Sequence, residues 1–73
     1  MKYNLDLEIN EKRYAHIFKT KHQVAAGDKI ELSVGTYTVT QRYINLFGAV
    51  LVVTPDIWAD HLIEDDGWRL ATQ

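Results

Sequence analysis

Few residues of this sequence have a type and spacing that could carry out a reaction. Nucleophilic catalysis needs an activated serine, cysteine or threonine beside a base. The chain has no cysteine, and its one serine, Ser33, falls in a predicted strand without the glycine-flanked turn that exposes a nucleophile. The four glycines are isolated turn residues, so they form no phosphate-binding loop. We therefore predict no catalytic residue, no cofactor and a chain that is not an enzyme.

A loose cation site is the other chemistry that the sequence offers. His61 lies at the end of a predicted helix, and Glu64 would lie one helical turn from it. Acids beside them could supply further oxygen ligands: Asp60, Asp65 and Asp66. Metal sites need ligands that converge, whereas a run of acids is ordinarily a solvated surface. We predict no metal site.

An aromatic stretch near residue 16 is the first candidate for binding another protein. It lies in the second predicted strand, over about residues 13–20, which is apolar on both faces. One face carries Tyr14, His16 and Phe18, and the other carries Ala15 and Ile17. Such a strand is central in its sheet, is bulged, or exposes an apolar face to a partner. The sequence leaves open which face is buried.

The two tryptophans mark the second candidate surface. Trp58 and Trp68 lie in the last third of the chain, and tryptophan serves either as a core residue or as an interface anchor. The acids around them would favour a basic partner: Asp60, Glu64, Asp65 and Asp66. These features predict a non-enzymatic protein-binding module, such as an adaptor, an assembly component or a small inhibitor of a larger protein. Its partner would be another protein or a second copy of this chain in a homo-oligomer.

Nucleic-acid binding by a small β-barrel is the alternative function. Single-strand binders combine basic residues with stacking aromatic rings, and the stretch 13–22 offers both. The residues for this alternative are Arg13, Lys19, Lys21, Arg42 and Tyr43. The net charge of −2 disfavours it, because attraction to phosphate supplies most non-specific affinity.

Charge and apolar runs bear on where the protein works. Residues 1–42 carry seven bases and five acids, whereas residues 43–73 carry one base and five acids. The longest apolar run, residues 48–53, is too short to span a bilayer, and the first residues do not resemble a signal peptide. Together with the absence of cysteine, this predicts a cytoplasmic protein that does not bind membranes.

Strands are the elements that must position these candidates, since apolar and polar residues alternate along most of the chain. In the first strand the inward residues are Tyr3, Leu5, Leu7 and Ile9, and a short hairpin at 10–12 leads into the second. A third strand points Ile30, Leu32 and Val34 inward. Gly35 is expected at the left-handed position of a tight turn.

The fourth and fifth predicted strands form the middle of the chain. In the fourth, Tyr37 and Val39 point inward, and the residues expected to point outward are Thr36, Thr38, Thr40 and Arg42. A turn at 45–48 follows. The unbroken apolar run 50–53 then predicts a central strand that is covered on both sides.

A change of pattern after residue 53 predicts a short helix near residues 55–63. Thr54 can cap it, Pro55 suits its first position, and Gly67 is a natural stop. The competing interpretation makes 65–67 a hairpin turn between two strands. Trp68–Ala71 alternates again and could form a last strand.

These elements predict a single small, mostly β domain over residues 1–73. Five to six strands in hairpin order with one short helix indicate a small antiparallel β-barrel or a strongly bent sheet, SH3-like in general appearance. The function does not follow from such a fold, because small barrels serve many functions.

Overall fold

A computed structural model describes residues 1–72 and confirms that the chain is mostly β. Its strands are β1 (Lys2–Ile9), β2 (Lys12–Lys19), β3 (Lys29–Glu31), β4 (Thr36–Asn45), β5 (Gly48–Pro55) and β6 (Arg69–Thr72). The single helix of the described residues, α1, spans Leu62–Asp65. No helix among residues 1–72 has the length and apolar character needed to cross a membrane.

All six strands belong to one mixed sheet with the order β3-β4-β5-β1-β2-β6. The hairpins β1–β2 and β4–β5 are antiparallel, as expected, but β1 and β5 pair in parallel at the centre of the sheet. The purely antiparallel arrangement was therefore wrong. The sheet is not closed into a barrel either, so the barrel and its SH3-like appearance are not confirmed.

The first hairpin lies where the sequence predicts it, but its turn is one residue shorter than the predicted turn at 10–12. Ile9 pairs with Lys12, so Asn10 and Glu11 alone form the turn. Both have positive φ, 53° and 67°, which matches the right-handed twist of the two strands. Asn tolerates this backbone conformation better than Glu does.

One face of the sheet carries the core, and β2 turns its aromatic residues toward it. Tyr14, His16 and Phe18 lie opposite Leu7, Leu5 and Tyr3 of β1, in that order. All three are half-buried, and the rings of Tyr14 and Phe18 pack on the core. The open question about β2 is settled in this sense: Ala15 and Ile17 face the opposite, outer side.

Because of a bulge in β4, the Arg42 side chain points in the direction opposite to the one expected. Tyr37 and Val39 point inward as expected, but the register shifts between Val39 and Gln41. Because one extra residue reverses the alternation, Arg42 pairs with the buried Leu51 and points to the core side instead of outward. Its guanidinium lies 5.9 Å from the centre of the Tyr3 ring.

The helix predicted near 55–63 was wrong in position, although one short helix is present. Pro55 is the last residue of β5, where it pairs with Tyr37. Asp56 does not lie at the start of a helix. Its carboxylate accepts hydrogen bonds from Lys29 (2.7 Å) and Thr38 (2.6 Å). Helix α1 ends before Gly67, whose φ is 81°.

Gly35 is required for a reason other than the expected left-handed turn, since its φ is not positive. A Cβ at this position would lie 2.6 Å from the Leu62 side chain and 3.0 Å from a carboxylate oxygen of Asp66. The third strand is also shorter than expected, because β3 ends at Glu31 and Val34 is exposed.

Asp66 is the one buried acid of the described residues, and a set of donors surrounds it. Its carboxylate accepts hydrogen bonds from the backbone N–H groups of Val34 (2.5 Å) and Gly35 (3.0 Å) and from the Tyr37 hydroxyl (2.7 Å). The indole N–H of Trp68 donates to the same hydroxyl at 2.9 Å. Burial, and then the hydrogen bond to Asp66, raise the pKa of Tyr37.

The turn of the first hairpin yields a stability prediction. Replacing Glu11 by glycine (Glu11→Gly) should raise the free energy of unfolding by about 0.5–1 kcal/mol, because glycine adopts a positive φ without steric cost. Urea unfolding measures the change. Glu11→Ala removes the same charge but keeps the Cβ, so it should give no such gain. Equal gains from both variants would assign the effect to charge.

Asp66 yields the second prediction. Asp66→Asn should lower the free energy of unfolding by at least about 2 kcal/mol, because an amide nitrogen would face buried N–H and O–H donors. The exposed neighbour provides the control: Asp65→Asn should change stability by less than about 0.5 kcal/mol. Indistinguishable urea midpoints for the two variants would show that the buried carboxylate is dispensable.

Candidate functional site

The far end of the β4–β5 hairpin is the most exposed apolar part of the protein. Leu46 is 98% exposed, Phe47 is 85% exposed and Ile44 is 74% exposed. Leu46 and Phe47 are the two turn residues between the paired Asn45 and Gly48. Turns of this length ordinarily carry Asn, Asp or Gly. A fully exposed Leu-Phe pair at the tip is therefore unusual for a structural turn.

Local hydrogen bonds hold this tip in place. The Asn45 side-chain oxygen accepts a hydrogen bond from the Phe47 N–H at 2.8 Å, and the Asn4 amide of β1 donates to the Phe47 carbonyl at 3.3 Å. Gly48 follows with a φ of 114°, which is open to glycine. The apolar tip is thus presented by a turn whose geometry its polar neighbours fix.

A groove of about 490 Å³ runs from the tip across the outer face of the sheet. Its lining is mostly apolar and includes a few polar side chains. The lining residues are Asn4, Ala15, His16, Ile17, Asn45, Phe47, Val50, Arg69 and Ala71. The groove and the three exposed residues of the hairpin end are together called the distal surface below.

Strand register explains how these residues meet. Asn4 of β1 pairs with Ile17 of β2 on one side and with Val50 of β5 on the other, so the three side chains share the outer face. Ala15 pairs with Arg69 of β6, which extends the same face to the edge of the sheet. The parallel β1–β5 pair thereby joins parts of the chain that are remote in sequence.

Two ion pairs lie on the rest of the outer face. Arg13 donates to Asp6, and this contact raises the pKa of Arg13. The Lys29 ammonium, followed by the Thr38 hydroxyl, lowers the pKa of Asp56. Both pairs are solvated and contribute little to stability. They leave Arg69 as the charged residue that lines the groove.

The chemistry of the distal surface is that of binding. Its lining combines apolar side chains with amide, imidazole and guanidinium groups. These groups can donate or accept hydrogen bonds around an apolar contact. Within residues 1–72, no group of three or more His, Asp or Glu side chains is placed to hold a metal ion.

The structure separates the predicted protein-binding residues. Of the β2 aromatic set, Tyr14 and Phe18 lie against the core, and His16 also lines the groove. Trp68 is buried and meets the His16 ring edge-on at 5.3 Å, whereas Trp58 is 45% exposed. Trp58 lines a smaller groove of about 340 Å³ near the first hairpin.

The acidic set is divided as well. Asp60, Glu64 and Asp65 are exposed, whereas Asp66 is buried. Asp66 is therefore a residue of the folded core in this structure. The other three form a solvated acidic segment before β6, away from the lining of the distal surface.

The residues of the nucleic-acid alternative are also placed apart. Arg13 and Lys19 lie on the outer face of β2, while the aromatic residues between them face the core. Arg42 and Tyr43 are consecutive in β4 and so point to opposite faces. Lys21 is exposed in the segment after β2. The structure assembles no basic groove with stacked rings from these residues.

Sequence reasoning missed Ile44, Leu46 and Phe47. The sequence pattern predicted only a turn at 45–48, although the two apolar residues within it indicate more. Two large apolar residues at the centre of a two-residue hairpin turn cannot be buried by their own hairpin. Such a pair therefore indicates an exposed apolar tip.

Comparisons with known proteins identify no relative. No protein-family model, curated protein or solved structure matches this chain. The geometry of the distal surface is therefore the basis for assigning a function.

The exposure of the tip predicts that it has no role in stability. Replacing both turn residues with serine (Leu46→Ser with Phe47→Ser) should change the free energy of unfolding by less than about 0.5 kcal/mol. Val50→Ser, at a nearly buried position of the same hairpin, should lose about 2 kcal/mol or more. Circular dichroism during urea unfolding gives both values. A large loss from the double variant would make the tip structural.

Proposed function

We propose that this protein is a non-enzymatic protein-binding module whose contact region is the distal surface. The observation that carries the proposal is the pair Leu46 and Phe47, almost fully exposed on a turn that polar contacts fix in place. An adaptor, an assembly component or a small inhibitor of a larger protein would act through such a surface.

Energetics support a binding role for the tip. Burying one Leu or Phe side chain contributes about 1.5–3 kcal/mol, and the fold gains none of this from Leu46 or Phe47. Aromatic anchors near the centre of a contact region carry much of the binding energy in protein interfaces. Because the turn is already ordered, a partner would bury both side chains without ordering the backbone first.

The groove beside the tip supports the same function. An apolar side chain of a partner could contact Ile17 and Val50, while Asn4 between them, together with Asn45 and Arg69, offers hydrogen bonds. Protein interfaces likewise combine apolar contacts with hydrogen bonds. Arg69 would favour an acidic group on the partner at this end.

Affinity capture with matched variants tests the proposal. The tagged wild-type chain, the Leu46→Ser/Phe47→Ser double variant and Ile57→Ser would be incubated with native lysate, and captured proteins identified by mass spectrometry. Ile57 is 80% exposed but lies outside the distal surface. We expect one dominant protein with the wild type and with Ile57→Ser, and its loss with the double variant.

Treatment of half of each sample with nuclease separates the alternative function. A captured protein that survives nuclease and depends on Leu46 and Phe47 supports the proposal. Retention of the same protein by the double variant would contradict the assigned surface. Nucleic acid in the eluate, with proteins that disappear after nuclease, would favour nucleic-acid binding through Arg13, Lys19, Lys21 and Arg42 instead.

A further inference from the structure

The hairpin that carries the distal surface also has a free backbone edge. β4 spans Thr36–Asn45, but β3 pairs with it only over Thr36–Thr38. The Gly27 N–H donates a hydrogen bond to the Val39 carbonyl at 2.7 Å, and the Val39 N–H donates to the Asp28 carbonyl at 2.8 Å. No strand of residues 1–72 pairs with the outer edge of β4 beyond this point. About 20 Å of extended strand, residues 40–45, is left open.

Hairpin register shows which backbone groups face outward. Asn45 and Gly48 close a two-residue turn and are therefore a hydrogen-bonded pair. Alternation along an antiparallel ladder then directs the N–H and C=O of Tyr43 toward β5. The same groups of Arg42 and Ile44 point away from the sheet, where only an added extended strand could pair with them in register.

Two other open edges of the sheet, at β2 and at β3, carry protective features. The outward N–H of Ile17 in β2 donates to the His16 Nδ1 at 2.7 Å, so a side chain occupies it. β3 is three residues long with exposed charges at Lys29 and Glu31. Short strands, charges and side-chain caps are devices that prevent edge pairing. The bulge of β4 lies at residues 39–41, before the regular stretch 41–45. That stretch contains neither proline nor lysine, and Arg42 is its one charge.

We propose that β4 pairs antiparallel with β4 of a second copy, centred on Tyr43, so that two sheets continue into one. The proposal rests on the proposed function, because it names a partner for the same hairpin. In a two-fold pair, each residue whose backbone N–H and C=O point away from β5 must lie opposite a residue of the second copy with the same backbone orientation. Centring on Tyr43 sets Arg42 opposite the second copy's Ile44, and the reverse.

The side chains favour this register over the neighbouring one. Centring on Arg42 would place two guanidinium groups directly opposite each other, which is destabilising. Centring on Tyr43 instead brings the two Tyr43 rings together at a non-hydrogen-bonded position, where opposite Cα atoms are about 4.5 Å apart. The exposed Ile44 would then lie along the aliphatic part of the second copy's Arg42.

Site-specific crosslinking tests the register, since the chain has no cysteine of its own. In Tyr43→Cys the two Cα atoms of the introduced cysteines would lie about 4.5 Å apart. This separation is within the range of about 4.4–6.8 Å that a disulfide bond allows. Gln41→Cys is the control on the same face of β4: position 41 would lie opposite 45, about 14 Å along the strand from the other position 41. Glutathione disulfide, the oxidant, is reduced as the bond forms.

Sedimentation of two Ile44 variants tests the edge itself without a cysteine. Ile44→Pro removes an N–H that the hairpin does not use and should weaken dimerisation by at least about 30-fold, because symmetry removes the bond twice. Ile44→Thr keeps the N–H and should stay within about threefold of the wild type. Circular dichroism would confirm that both variants fold.

Two results together support the edge-paired dimer. Tyr43→Cys should crosslink whereas Gln41→Cys does not, and dimerisation should be weakened strongly by Ile44→Pro but not by Ile44→Thr. Equal crosslinking at both positions, or equal effects of proline and threonine, would overturn it. So would a wild-type chain that remains monomeric up to about 1 mM, an association free energy weaker than about −4 kcal/mol. If a monomeric chain still captures a protein through Leu46 and Phe47, edge pairing fails and the proposed function stands.

Discussion

The Asp66 carboxylate is the contact on which the arrangement of the sheet and its cover depends. It lies after helix α1, yet its donors come from the β3–β4 connection and from β4. A buried carboxylate is tolerated only when hydrogen bonds replace the water that it loses. Here each oxygen has a donor, so the segment before β6 is fixed against the core face.

Contacts around this carboxylate reach strands on both sides of the central β1–β5 pair. The Asp66 carbonyl accepts a hydrogen bond from the His16 Nε2 at 2.7 Å, and Trp68 packs between His16 and Tyr37. β2 and β4, which β5 and β1 separate in the strand order, are therefore linked through residues 66–68. Gly35 permits the close approach, because a larger residue would meet Leu62 and Asp66.

Local pattern predicted the strands well and the long-range arrangement poorly. Alternation identified β1 and β2, the hairpin between them and the inward Tyr37, because those signals depend on near neighbours in sequence. The parallel β1–β5 pair, the burial of Asp66 and the β4 bulge depend on contacts between remote residues. A run of three acids at 64–66 gives no indication that one of them is buried.

The candidate site divides in the same way. His16 was identified from its strand, and it does line the groove. The groove as a whole depends on the central pairing of β1 with β5, which no local pattern reveals. Leu46 and Phe47 were within reach of the sequence, since their place in a turn was recognised. What was missing was the step from apolar turn residues to an exposed tip.

The central parallel pair also has a consequence for the order of events in folding. The β1–β2 and β4–β5 hairpins contain only neighbouring segments, and isolated hairpins form within about 1–10 μs. Joining them requires Asn4 to find Val50, a contact that closes a long loop before any core is gained. This topology therefore predicts that the pairing of β1 with β5, and not the formation of either hairpin, limits the rate of folding. Until it occurs, the facing edges of β1 and β5 are open to other chains.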